Sequence, residues 1–72
     1  MFYSPKVKLP KLGEVVRVTG IVRYGRRKRI MAAKRMVVFG DNFSESTEWI
    51  ALEDSAYSET IVLREVIRWE YF

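Results

Sequence analysis

The sequence predicts an all-β fold, a small antiparallel barrel of four or five strands, with a C-terminal helix left open for the last segment. Three observations carry this reading. The chain has 72 residues, enough for one domain, and a domain this small buries only roughly 60% of its unfolded surface. Residues 14–24 alternate polar and apolar side chains and are rich in β-branched residues, the pattern of a half-buried strand. Within that strand Gly20 falls on the inward face, where glycine marks the bend or bulge that turns a barrel corner. The apolar share of 49%, with ten aromatic residues, is ample for a core and rules out general disorder.

Taken in order, residues 1–12 hold Pro5 and Pro10 among Lys6, Lys8 and Lys11. Proline cannot donate to a ladder, so this reads as a basic N-terminal arm or edge segment, and residues 13–72 as a single barrel domain. Val7 and Leu9 alternate with Lys6 and Lys8, which would let the arm lie along a barrel edge; otherwise it is mobile. In Glu14–Tyr24 the even positions Val16, Val18, Val22 and Tyr24 are apolar, against Arg17, Thr19 and Arg23 at odd ones. This alternation places Tyr24 in the core.

Gly25-Arg26-Arg27-Lys28 then makes a turn. In Arg29–Phe39 the first half has helical propensity and Met36-Val37-Val38-Phe39 has strand propensity. A strand is preferred because it pairs antiparallel with the first through a tight turn. Gly40–Ser46 reads as a loop, Thr47–Glu53 as a short strand and Asp54–Ser58 as the next turn. The stretch Glu59–Phe72 supports two readings. Val62, Leu63, Val66 and Ile67 have helical spacing, with Ser55 or Ser58 available as a cap. Ile61, Leu63, Ile67, Trp69 and Tyr71 share one strand face, with Glu65 out of place, and the density of β-branched and aromatic residues favours this strand.

The sequence argues against catalysis. It contains no cysteine and no histidine, which removes disulfides, thiol nucleophiles, the usual proton shuttle and nearly all zinc sites. The acids are scattered singly apart from Glu53-Asp54, and Gly13, Gly20, Gly25 and Gly40 fit no nucleotide-binding fingerprint. The expectation is a non-enzyme with no catalytic residue, no metal and no cofactor. The N-terminus lacks the pattern of a signal peptide, and no apolar run approaches the roughly 20 residues of a membrane span. A soluble intracellular protein is expected, cytoplasmic or nucleoid-associated, with no membrane partner. The absence of Gln and Cys, with a single Asn, follows the drift of thermophile compositions, and a melting temperature below about 55 °C would count against that hint.

Charge is divided along the chain. Residues 1–35 hold 11 of the 13 Lys and Arg with one acid, Glu14, whereas residues 36–72 hold Arg64 and Arg68 against eight acids. The net charge is therefore +10 in the first part and −6 in the second. The densest run is Arg23-Tyr24-Gly25-Arg26-Arg27-Lys28-Arg29, followed by Lys34-Arg35. Consecutive cations repel one another unless anions relieve them, and a polyanion does so while releasing condensed counterions. A solvated turn, pairing with the acidic half of the chain, and a nuclear-import signal are the competing readings.

The candidate nucleic-acid-binding residues are Arg17, Arg23, Arg26, Arg27, Lys28, Arg29, Lys34 and Arg35, with Trp49 as the base-stacking aromatic. Trp49 lies on the face opposite Ile50 and Leu52, although a core role competes. Trp69, Tyr71 and Phe72 close the core or form a partner surface, and Phe2, Tyr3 and Phe43 are loop or arm contacts. The partner would be DNA or RNA, bound mainly through its phosphates. The alternative is an assembly subunit that self-associates, or adds its aromatic C-terminal strand to a partner's sheet.

Gly13-Glu14-Val15-Val16-Arg17-Val18-Thr19-Gly20-Ile21-Val22 resembles the bent first strand of OB-fold proteins, and Trp49-Ile50-Ala51-Leu52-Glu53-Asp54 looks like their third strand. SH3-like barrels open the same way, and the chain is similar in size and charge to small archaeal chromatin proteins with SH3-like barrels. The OB-fold resemblance implies a barrel carrying single-stranded nucleic acid or RNA across its second and third strands.

Overall fold

The structure, a computed structural model, describes residues 1–53 and 60–72. Four strands form a closed antiparallel barrel: β1 (Val16–Val22), β2 (Arg29–Phe39), β3 (Glu45–Ala51) and β4 (Ile61–Glu70). The fold is all-β, as the alternation predicts, and the C-terminal segment is a strand. A 3-10 turn spans Asp41–Phe43, with Asn42 at φ 65°, a left-handed conformation that asparagine tolerates well. No helix among the described residues is long and apolar enough to cross a membrane. The turn expected at Asp54–Ser58 lies outside the described residues.

Several boundaries differ from expectation, and β1 starts at Val16 rather than Glu14. β1 ends at Val22 rather than running to Tyr24, and β3 starts at Glu45 within the expected loop and stops at Ala51. β2 spans the expected Arg29–Phe39. It serves two neighbours in turn, with Arg29–Ala33 paired to β1 and Ala33–Phe39 to β3. Ala33 is the crossing point, facing Val16 on one side and Ala51 on the other, and it is fully buried. Small side chains there let three backbones meet.

The irregularity that Gly20 foretells sits mainly in its partner strand. Along β1 and β4 the register runs Arg17↔Glu70, Val18↔Trp69, Thr19↔Arg68, then jumps to Gly20↔Val66 and Ile21↔Glu65, and jumps again to Val22↔Leu63. Ile67 and Arg64 are the two extra residues, each resetting the alternation of β4. Trp69, Val66 and Leu63 therefore pack at the core although they lie three residues apart. That spacing imitates a helix face. It also explains why Glu65 looked out of place, and why Ile67, expected inward, is 38% exposed. A Cβ added at Gly20 would meet the Glu65 carbonyl oxygen at 2.5 Å, so only glycine permits the close approach of β4.

The core comprises Val16, Val18, Met31, Ala33, Ala51, Leu63 and Trp69, with Tyr3, Val22, Trp49, Ile61 and Val66 packed on it. Trp69 is completely buried, and burying a Trp-sized area of about 150–250 Å² removes roughly 4–6 kcal/mol of apolar exposure. Its indole N–H donates to the Lys8 carbonyl at 2.9 Å. The N-terminal segment thus lies docked against β4. Tyr3 and Trp69 exchange backbone hydrogen bonds at 2.8 and 3.0 Å, their rings lie 4.9 Å apart, and Pro10 is buried.

Candidate functional site

The basic run forms the β1–β2 connection, residues 23–28. It is not the tight hairpin that the sequence suggests. β1 parts from β2 at the Gly20↔Arg29 pair, yet continues alongside β4 to Val22. The Arg23 N–H then donates to the Val62 carbonyl at 2.8 Å, and the Gly25 N–H closes a turn onto the Val22 carbonyl at 3.0 Å. The Arg64 guanidinium donates to the Gly25 carbonyl at 3.2 Å. Gly25 fits because a Cβ there would lie 2.6 Å from Val22 Cγ2. The connection is consequently anchored to β4 by its first three residues, and its remaining cations project beyond.

Tyr24 corrects the sequence reading most sharply. Assigned to the core by alternation, it is 94% exposed. The alternation has no structural meaning past Val22, because the chain turns there. An exposed aromatic ring in a run with Arg23, Arg26, Arg27 and Lys28 offers a stacking face beside cations, the two kinds of group that single-stranded nucleic-acid sites combine. Beside it lies an open cleft of about 310 Å³ lined by Val22, Arg23, Tyr24, Thr60, Ile61 and Val62.

The remaining candidates divide. Arg23, Arg26, Arg27 and Lys28 are exposed, and no carboxylate pairs with them among the described residues. Arg29 directs its guanidinium at both carboxylate oxygens of Glu53. Arg17 pairs with Glu70 at 3.0 Å and lies over the Phe72 ring at 5.2 Å. Part of the basic half is thus neutralised by the acidic half, as one competing reading expects, but the connection is not.

Strand geometry separates the others from the loop. Arg17 lies three residues before Gly20, about 10 Å along β1, whereas Lys34 and Arg35 lie roughly 17–20 Å beyond Arg29 on β2. Lys34 and Arg35 are half-buried. Trp49 is half-buried too, packs on the core and has the Arg35 guanidinium 5.9 Å from its ring centre. Its expected free stacking face is therefore not available as the sequence suggests: it sits opposite Arg35 in the ladder, on the same side as Ala33 and Ala51.

Elsewhere, aromatic rings and cations associate on the docked arm. Lys8 lies 4.6 Å from the Tyr3 ring centre and Arg68 lies 4.0 Å from that of Phe2. Tyr71 meets Trp69 edge-on at 5.0 Å. Phe72 and Phe43 remain exposed. Among the described residues no group of three His, Cys, Asp or Glu is arranged to hold a metal ion.

What the fold and site define is a closed four-stranded antiparallel barrel that presents one basic, tyrosine-bearing connection. No protein-family model matches the chain, and neither curated proteins nor solved structures give a match.

Proposed function

We propose that the protein binds nucleic acid through the β1–β2 connection, with Arg23, Arg26, Arg27 and Lys28 on the phosphates and Tyr24 against a base. The observation that carries this is a dense run of free cations: Arg23, Arg26, Arg27 and Lys28 are all exposed, and none has a carboxylate partner among the described residues. Unpaired adjacent cations repel one another in the free protein, so neutralisation by phosphate relieves a cost as well as releasing counterions. Arg29, held by Glu53, orients the return into β2 rather than contacting phosphate.

The mechanism is binding alone, without a reaction. Phosphate contacts give affinity with little reading of sequence, and Tyr24 contributes about 1–3 kcal/mol toward an unstacked base. We also assign the barrel to the OB-like or SH3-like kind. Support comes from a first strand shared between two neighbours and closely approached by β4 at a mid-strand glycine.

The test is a titration of labelled single- and double-stranded oligonucleotides at two salt concentrations, followed by fluorescence anisotropy. Saturable binding that weakens steeply with salt is expected. Equal affinity at both salt concentrations, or no binding, overturns the proposal.

A further inference from the structure

A second site, chemically unlike the first, is formed by the unpaired edge of β3. This strand pairs with β2 over its whole length, Glu45–Ala51, but with β4 only at Ile50 and Ala51. The Leu52 N–H donates to the Ala32 carbonyl at 2.9 Å. In an antiparallel ladder backbone groups alternate sides, so those of Ser46 and Glu48 face β2 and those of Glu45 and Thr47 face away. Among the described residues, no strand pairs with Glu45 or Thr47 on that outer side.

Clefts flank this edge on both faces. One, of about 410 Å³, is lined by Val38, Phe39, Ser46 and Glu48, with Arg23 and Val62 across from them. The other, of about 350 Å³, is lined by Val37, Glu45, Ser46 and Thr47. A strand laid along the edge would send successive side chains to alternate faces, hence alternately into the two clefts.

Charge selects the occupant. Asp41, Glu45 and Glu48 surround the edge, and none of them has an ion-pair partner among the described residues. A nucleic acid is repelled by this arrangement. So is β3 of a second copy, since antiparallel pairing about Thr47 would bring the glutamates of both chains into one seam. We propose that the β3 edge accepts an extended segment of a protein partner in which basic and apolar residues alternate. Its backbone would pair with Glu45 and Thr47, its apolar side chains would meet Val37 on one face, and its cations would meet Glu48 on the other. The larger cleft shares Arg23, Thr60 and Val62 with the cleft beside Tyr24, whereas the pairing edge at Glu45 and Thr47 belongs to this site alone.

The experiment uses the full chain and a short fluorescent peptide of alternating lysine and valine, compared with one of alternating glutamate and valine. The protein carries a net charge of +4, so general attraction disfavours the lysine peptide and any preference for it is local. The lysine peptide is expected to bind saturably and to slow hydrogen exchange at the Thr47 amide at least about tenfold. Glu45→Lys with Glu48→Lys should raise Kd at least about tenfold, and Thr47→Pro, tolerable on a strand edge, should abolish binding. Where Thr47→Pro fails to fold, exchange in the unaltered protein and the double lysine variant decide the matter. Equal binding of the glutamate peptide, indifference to charge reversal, or no protection at Thr47 overturns the proposal. Concentration-dependent mass above 8.5 kDa that Thr47→Pro removes would make a second copy the occupant and also overturn it.

Discussion

Replacing Arg26, Arg27 and Lys28 together by alanine removes three exposed cations that have no carboxylate partner among the described residues. The barrel should be indifferent, because none of the three belongs to a strand or the core. Binding should not be. Each phosphate neutralised contributes a salt slope of about −0.9 on duplex and about −0.7 on single strands. Losing three contacts should flatten the slope of log affinity against log salt by about 2–3. At 0.1 M salt the same counterion term corresponds to roughly 1 kcal/mol per contact, so affinity should fall by about two orders of magnitude. Anisotropy titrations across a salt series measure both quantities, with the far-ultraviolet circular dichroism spectrum as the folding control. A well-folded variant with an unchanged slope refutes the reasoning, even if its affinity falls modestly.

Three further outcomes follow from the geometry. Tyr24→Ala should weaken binding to single strands by about 1–3 kcal/mol, with a smaller effect on duplex, whose bases are already stacked; equal losses on both would show that the ring does not stack a base. Gly20→Ala places a methyl group 2.5 Å from the Glu65 carbonyl oxygen and should destabilise the fold by roughly 1–3 kcal/mol, measured by chemical unfolding; an unaltered midpoint would contradict the described approach of β4. Trp69→Phe removes the donor to the Lys8 carbonyl and volume from the core, so it should lower stability by about 1–3 kcal/mol and speed amide exchange in residues 3–10. Unchanged exchange there would show that Trp69 does not hold the arm.

Much of this fold is legible in the sequence because most of its strands alternate. Val16 and Val18 announce the inner face of β1, and Arg29–Phe39 reads as one strand because only a strand returns the chain beside β1. The failures share a cause: period two holds only while a ladder is regular. Bulges at Ile67 and Arg64 break it, so β4 imitates a helix, and no local property of those residues signals the bulge. Gly20 is the one hint, and it lies on the opposite strand. Tyr24 fails for a related reason, since nothing before Gly25 tells where β1 ends. The cations of the connection were identifiable from density alone. Which of them are paired was not, because Glu53 and Glu70 reach Arg29 and Arg17 only after the barrel closes.

The measurement closest to the central claim is a nuclear magnetic resonance titration of isotopically labelled protein with a short oligonucleotide at low salt. Amide shifts should concentrate at Arg23–Arg29 and at Thr60–Val62, the opposite wall of the adjoining cleft, while the β3 edge stays silent. Shifts confined to the N-terminal arm or to β3, or no shifts at all, would contradict it.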